Sequence, residues 1–418
     1  MQVVIAGQGY VGLPLAMRAA EVGHHVIGYD VDRRRVQQIT TGQSHVEDVA
    51  SARLRAALDS GAYSVTADAT ALAGFDIAVI TVPTPLRDGV PDLTHIESCA
   101  HTVGPHLRPG VTVVLESTTY PGTTEELLLP ILEKASGLIA GTDFHLGYSP
   151  ERIDPGNARW RLENTPKVVS GLDAASLEAV NTFYDRIVER TIPVSSPRTA
   201  ELTKLLENTF RHVNIALINE MAMLAKSLGV NVWEAIDAAA SKPFGFMRFN
   251  PGPGVGGHCL PIDPSFLSWK VERTVGVPFR FVDLANDVNS HMPDYVVRRL
   301  MEAFNTRRMV VSGSRVLLLG LAYKADTADA RESPSVRVAE LLLNLGADVR
   351  GADPHVADDI HPDARLVRVE ATAEEIAASD AVLLLTDHTE FDYESILEHA
   401  SYVLDCRNRL SGGNVEVL

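Results

Sequence analysis

Between Pro197 and Gly229 the chain contains no internal glycine or proline. Ser195-Ser196-Pro197 opens this stretch with a serine N-cap followed by proline at the first helical position, and Gly229 closes it. At 1.5 Å per residue, about 33 residues make a helix of roughly 50 Å. A helix of that length is better suited to a spine between domains than to a crossover on a surface. Short β-branched runs at 3–6, 25–30, 77–82, 111–116, 144–148 and 191–194 precede it, separated by helical stretches such as 12–22 and 50–58. After it, helical character continues at 232–240 and from 265 into the 290s. The alternation then restarts, with strands at 315–319, 348–352, 382–385 and 402–404 and a helix at 335–345 opened by Pro334. Continuously apolar strands alternating with helices predict parallel sheets covered on both faces. The 418 residues allow two or three domains at roughly 150 residues each. The divisions fall at 1–195, 196–300 and 301–418.

Charge and cysteine content narrow the function. Thirty-seven Lys and Arg against 54 Asp and Glu leave a net charge of −17. Bulk charge therefore excludes a nucleic-acid binder. Three cysteines, Cys99, Cys259 and Cys406, cannot form a paired framework or a zinc cage, so no metal is expected and a reducing cytoplasm is. No signal peptide and no apolar run of membrane-spanning length is read.

Gly7-Gln8-Gly9-Tyr10-Val11-Gly12 fits G-x-G-x-x-G, directly after a predicted strand and opening a predicted helix. In that context the first glycine makes the turn, the second lets a pyrophosphate approach, and the third packs helix on strand. The helix N-terminus offers N–H donors to the phosphates. The next strand ends at Asp30, placed to accept from both ribose hydroxyls of NAD and to repel a 2′-phosphate. Arg33, Arg34 and Arg35 follow, as a solvated face, an adenine platform or partners for a 2′-phosphate. The balance favours NAD over NADP. The fold class is thus α/β, two Rossmann-like α/β domains joined by a long central helix. The second of these has only Gly320 after its first strand and should not bind a second dinucleotide.

At 100° per residue, Leu206, Phe210, Val213, Leu217, Met221 and Leu224 form one stripe of the long helix, read as its core face. Lys204, Asn208, Arg211 and Asn219 fall opposite. They form either a solvated face or a set of cations and amides turned toward an anion. In the stretch 250–263, NPGPGVGGHCLPID, four glycines in eight residues suggest close approach to a ligand and mobility rather than core packing. Cys259 sits where this loop meets a predicted helix start, which lowers a thiol's pKa, and Asp263 lies four residues on. Cys99 and Cys406 read as structural.

Seven ordered motifs, GQGYVGLP (7–14), VPTP (82–85), ESTT (116–119), YSPER (148–152), KLLEN (204–208), GPGVGGHCLPID (252–263) and YKADTADARESP (323–334), make the chain resemble the UDP-glucose/GDP-mannose dehydrogenase superfamily nearly end to end. The resemblance implies an NAD-binding domain, a central helical region for dimerisation and catalysis, and a UDP-sugar-binding domain. It implies a four-electron oxidation of a sugar CH₂OH to a carboxylate with two NAD⁺. Cys259 matches the nucleophile that captures the aldehyde as a thiohemiacetal, later a thioester. Lys204 and Asn208 match groups that stabilise the oxyanion, and Asp263, Thr118 and Glu151 match groups that position water and relay protons. Cofactor contacts are implied at Gly7, Gly9, Tyr10, Val11, Gly12, Asp30, Arg35, Val82, Pro83, Thr84, Ser117, Thr118 and Arg331. Substrate contacts are implied at Glu151, Arg152, Lys204, Asn208, Arg211, Gly254, Gly256, Gly257, Tyr323, Lys324 and Arg407.

The UDP-glucose members carry a second Glu shortly after the Pro-Glu pair, where this chain has Arg152-Ile153-Asp154-Pro155-Gly156. That wording, with Lys-Pro-Phe-Gly-Phe at 242–246, is more similar to the UDP-N-acetylhexosamine 6-dehydrogenases. UDP-GlcNAc is the expected substrate, with UDP-glucose, UDP-ManNAc and UDP-GalNAc as alternatives. A one-step hydroxyacid-type dehydrogenase would need no cysteine. An NAD-sensing module would not need Lys204, Asn208, Cys259 and Asp263 together. A homodimer through the long helix is expected.

Overall fold

The computed structural model describes residues 1–87, 89–154, 157, 159–257, 260–357 and 363–418. They form two compact units, Met1–Glu207 with Ser265–Val277, and Asn208–Pro264 with Pro278–Leu418.

The first unit is built on eight strands: β1 (Gln2–Ala6), β2 (His25–Tyr29), β3 (Tyr63–Thr66), β4 (Ile77–Ile80), β5 (Thr112–Leu115), β6 (His145–Tyr148), β7 (Lys167–Gly171) and β8 (Thr191–Pro193). Their order is β8-β7-β6-β5-β4-β1-β2-β3. The first helix, α1 (Gly12–Glu21), follows β1, and the chain order reverses between β1 and β4. Ligands of such sheets bind beyond the carboxyl ends of the strands at this reversal. Val3, Val4, Ile5 and Ala6 are completely buried, as a strand covered on both faces requires.

The expectation of an all-parallel sheet is corrected at one place. β6 and β7 run antiparallel, with Tyr148 opposite Ser170, whereas the other neighbours are parallel. Lys167, the first residue of β7, donates to the Pro150 oxygen at 3.1 Å, so Pro150 lies beside the start of this strand. β3 and β7 gave no strand signal because YSVT and KVVSG are short and mix polar residues or glycine with β-branched ones.

The long helix α2 spans Pro197–Leu228, 32 residues, and Ser196 Oγ accepts the Thr199 N–H at 3.2 Å as its cap. Its facing is the reverse of what the apolar stripe predicts. Leu206 is 63% and Leu217 53% exposed, and Phe210, Met221 and Leu224 are exposed too. On the opposite side Lys204 is 7% and Asn219 0% exposed, Asn208 is buried, and Arg211 is open to solvent. Helix periodicity locates an apolar stripe but does not say what covers it.

The second unit contains α3 (Asp263–Val275) only at its first two residues, and all of α4 (Arg280–Ser290) and α5 (Pro334–Asn344). Its six-stranded parallel sheet has β9 (Arg315–Leu319), β10 (Asp348–Ala352), β11 (Val367–Arg368), β12 (Ala381–Leu384), β13 (Val403–Asp405) and β14 (Val415–Val417) in the order β11-β10-β9-β12-β13-β14. No helix among the described residues is long and apolar enough to cross a membrane.

Candidate functional site

In the first unit the predicted cofactor residues converge on the carboxyl ends of β1, β2, β4 and β5. Gly7 has φ +94°, and a Cβ on Gly12 would lie 1.8 Å from the Gly7 oxygen, so α1 can pack on β1 only with glycine there. A Cβ on Gly9 would meet nothing within 4 Å, and no side chain caps α1. Open backbone at a helix start is a cradle for a pyrophosphate, and the residues fit a dinucleotide. Tyr10 and Val11 complete the turn. Asp30 is buried; its Oδ2 accepts Gln8 N–H at 2.8 Å and Arg35 at 2.9 Å, and Oδ1 accepts Asp32 N–H at 2.9 Å. Arg35 is thus paired with the carboxylate instead of standing free for a 2′-phosphate. Ser117 donates to the Val82 oxygen at 2.7 Å and Thr84 to the Thr118 oxygen at 2.8 Å, joining the ends of β4 and β5 beside Pro83.

Glu151 lies at the end of the YSPER segment, buried, with one oxygen accepting the Ile153 N–H. Arg152 is committed to Glu207 at 2.6 and 3.2 Å and to the Pro166 oxygen at 2.6 Å. Lys204 is buried and has no ion-pair partner among the described residues. A buried ammonium without a counter-charge is costly, and it marks a place where an anion belongs.

In the second unit Asn208 Nδ2 donates to Asp263 Oδ2 at 2.6 Å, tying α2 to the first residue of α3. Cys259 and His258 lie outside the described residues. The glycines before them serve packing, which the sequence expectation had set aside. A Cβ on Gly256 would lie 2.6 Å from the Glu332 oxygen and 2.8 Å from Tyr323, and one on Gly257 would lie 2.7 Å from the Tyr323 ring. Gly254, at φ +136°, faces Pro334 and the Asn289 oxygen, and Gly252 faces Arg407. The loop is therefore pressed onto the segment carrying Tyr323, Lys324 and Arg331. Arg331 pairs with Asp329 at 2.7 Å, and Arg407 Nε donates to the Leu385 oxygen at 2.6 Å.

Besides Asn219, which the sequence already set on the polar face of α2, the structure shows buried polar groups that the sequence did not single out. Asn219 holds Gly252 N–H at 3.0 Å and Asn289 at 2.9 Å, and His212 bonds Asn286 at 2.8 Å. Asparagines at interior helix positions were the available signal. Asp353, at the end of β10, accepts the Leu321, Ala322, His355 and Val356 amides at 2.6–2.9 Å and His388 Nε2 at 2.9 Å. Asp326, His355 and His388 bring ligand-type atoms within 4.8 Å of one another. Both His388 nitrogens are already used, by Asp353 and by the Asp326 N–H at 3.0 Å, so this cluster is a hydrogen-bonded strut. Glu116, Lys167 and Tyr184 form a further buried group under β5–β7.

Comparison with known proteins agrees with this division of labour. Models of the UDP-glucose/GDP-mannose dehydrogenase family match residues 1–188 (NAD binding domain), 198–291 (central domain) and 317–412 (UDP binding domain). The chain is 36% identical over 414 residues to the UDP-N-acetyl-D-mannosamine dehydrogenase of Pyrococcus horikoshii, covering 98% of this chain and 96% of that one. It is 36% identical over 394 residues to the UDP-N-acetyl-D-glucosamine 6-dehydrogenase of Pseudomonas aeruginosa, covering 94% and 91%. The solved structure of UDP-D-ManNAc dehydrogenase from Pyrococcus horikoshii superposes with a TM-score of 0.90 at 34% identity, covering 100% of this chain and 99% of that one. The chain belongs to the UDP-glucose/GDP-mannose dehydrogenase family, and is an oxidoreductase that uses NAD to oxidise a UDP-sugar in two steps at C6.

Proposed function

We propose that the chain is a UDP-N-acetylhexosamine 6-dehydrogenase that converts UDP-GlcNAc to UDP-GlcNAcA through a thioester on Cys259. The observation that carries the mechanism is Lys204, a buried ammonium without an ion-pair partner among the described residues, one helical turn before Asn208, which is itself fixed by Asp263. Such donors are preorganised for an oxyanion at the reacting carbon. NAD, held by Gly7–Gly12 and Asp30, supplies the hydride acceptor in both oxidations. The Cys259 thiolate adds to the aldehyde, because an aldehyde carbon cannot give up a hydride until a nucleophile has made it tetrahedral. Water then cleaves the thioester, its hydroxyl going to the acyl carbon and its proton to Glu151, with Thr118 and Asp263 positioning it. Lys324 and Arg407 hold the nucleotide sugar. The nucleophile must remain a free thiol, which fits a reducing cytoplasm.

N-acetyl specificity rests on the missing second Glu after YSPER. The mannosamine enzymes among the relatives favour UDP-ManNAc as a second reading. NADH formation across UDP-GlcNAc, UDP-ManNAc, UDP-GalNAc and UDP-glucose tests both. We expect two NADH per sugar and the highest kcat/KM for UDP-GlcNAc. Free GlcNAc should be inert, because binding energy from the UDP holds the sugar in place. UDP-glucose used equally well would overturn the N-acetyl assignment, and a best rate with UDP-ManNAc would transfer it to the C2 epimer.

We further propose a homodimer through α2, supported by its outward stripe of Leu206, Phe210, Leu217, Met221 and Leu224. Light scattering should give twice the 45.2 kDa chain mass. Leu217→Glu should shift the protein to monomer, and an unchanged mass in that variant would remove α2 from the interface.

A further inference from the structure

Gln8 stands between the first two glycines of the G-x-G-x-x-G turn, and it is 0% exposed. Its four polar atoms are all engaged. Nε2 donates to the Ile5 oxygen of β1 at 2.7 Å, and Oε1 accepts the hydroxyl of Tyr63, on β3, at 2.7 Å. The backbone N–H donates to Asp30 Oδ2 at 2.8 Å, and the carbonyl accepts His45 Nε2 at 2.8 Å. Gly28 of β2 leaves room for this contact: a Cβ there would lie 2.6 Å from the Tyr63 hydroxyl and 2.7 Å from the Gln8 amide carbon. Tyr63 is buried too, and burial with the Asp30 charge nearby pushes its phenol up, so it keeps its proton and stays a donor. A buried amide with both ends bonded is costly to move, because any shift leaves a polar atom unpaired away from water.

We propose that Gln8 and Tyr63 are positioning residues for the cofactor: their buried bond locks the first turn of the cradle and the Asp30 carboxylate in the arrangement that receives NAD. This rests on the reading of Gly7–Gly12 and Asp30 as the place where NAD is held. The Gln8 side chain is shut off from the cradle, so it acts through the backbone. Peptide units are planar and trans, so holding the Gln8 carbonyl also fixes the direction of the Gly9 N–H, which points the opposite way. Holding the Gln8 N–H against Asp30 ties the turn to the group that meets the ribose. A turn fixed in this way before the cofactor arrives spares binding the cost of ordering it.

The test is calorimetric titration of the full chain with NAD⁺ and, separately, with UDP, with melting temperature measured alongside. Tyr63→Phe removes one hydroxyl and should raise the Kd for NAD⁺ about tenfold, with the Kd for UDP within about twofold of wild type. Gln8→Met keeps the length of the side chain, loses both of its bonds and should raise the Kd for NAD⁺ further. The double variant replaces both partners by apolar groups of similar shape, so it should regain most of the melting temperature while its NAD⁺ affinity stays low. A purely structural pair would not separate the two readouts. A folded double variant with the wild-type Kd for NAD⁺ overturns the proposal, as does an equal loss for NAD⁺ and UDP. Where a single variant does not fold, the double variant decides. Gly9→Val separates the two levels, since a Cβ there meets nothing within 4 Å and the new side chain fills the cradle instead of straining the fold. If it binds NAD⁺ like wild type, the cradle reading falls and this proposal with it. If it loses NAD⁺ while the double variant does not, only the role of Gln8 and Tyr63 falls.

Discussion

Cys259→Ala should abolish uronic acid formation, by at least about a thousandfold, while leaving nucleotide-sugar binding nearly intact. The first oxidation needs only a hydride acceptor and a base. The second needs a nucleophile on the aldehyde carbon. Burial pushes the thiols of Cys99 and Cys406 up to about 12, so neither is a thiolate near neutral pH. Cys99→Ala and Cys406→Ala should therefore keep most of the activity. Cys259→Ser should form a slow ester, because a serine adduct lacks the reactivity of a thioester. Mass spectrometry of product and protein after incubation with UDP-sugar and NAD⁺ distinguishes these outcomes. Acid produced by Cys259→Ala at a rate near wild type would rule out the thioester.

The largest loss of stability should come from Asp353→Ala, at about 3–5 kcal/mol in the second unit. The substitution leaves four backbone amides and His388 Nε2 without their acceptor in a place shut off from water. It also frees the chain after β9, which carries Tyr323 and Lys324, so UDP-sugar affinity should fall with stability. Burial by itself would raise the Asp353 carboxyl. The His388 bond and the Val356 and Ala322 amides outweigh it and hold the group well below the usual carboxylate range. A depressed carboxylate contributes its full stability above its unfolded pKa of about 3.9 and loses it as pH falls further. The wild type should accordingly lose its advantage over Asp353→Ala in acid, below about pH 4, and keep it at neutral pH. Urea unfolding at both pH values measures this. A variant within about 1 kcal/mol of wild type at pH 7 would show that the amides find other partners.

The two sheets and the long helix were legible because strong local signals agree with the global arrangement. Pro197 and Gly229 punctuate α2, and the apolar strands are too uniformly buried to be read otherwise. The sign of the β6–β7 pairing was hidden because β7 itself gave no strand signal, and because parallel and antiparallel strands share one residue pattern when both faces are covered. The facing of α2 was hidden for a related reason: a stripe of leucines has the same period whether a core or a partner covers it. The packing role of the glycines at 252–257 was not legible. A sequence shows that a side chain is excluded, and only the packing of Tyr323 and Pro334 shows what excludes it. Lys167 and Glu116 were invisible as a pair, since 51 residues separate them.

The unbroken α2 also sets a rule of spacing. Lys204 and Asn208 are four residues apart, so they project within about 40° of each other and are offset by about 6 Å along the axis. Adding or deleting one residue between them would turn one against the other by about 100° without changing either side chain. No loop in that stretch can absorb the error, because the helix runs on for twenty residues past Asn208. Length changes in this protein should therefore be tolerated in its surface turns and forbidden between 204 and 208, where the count of residues matters as much as their identity.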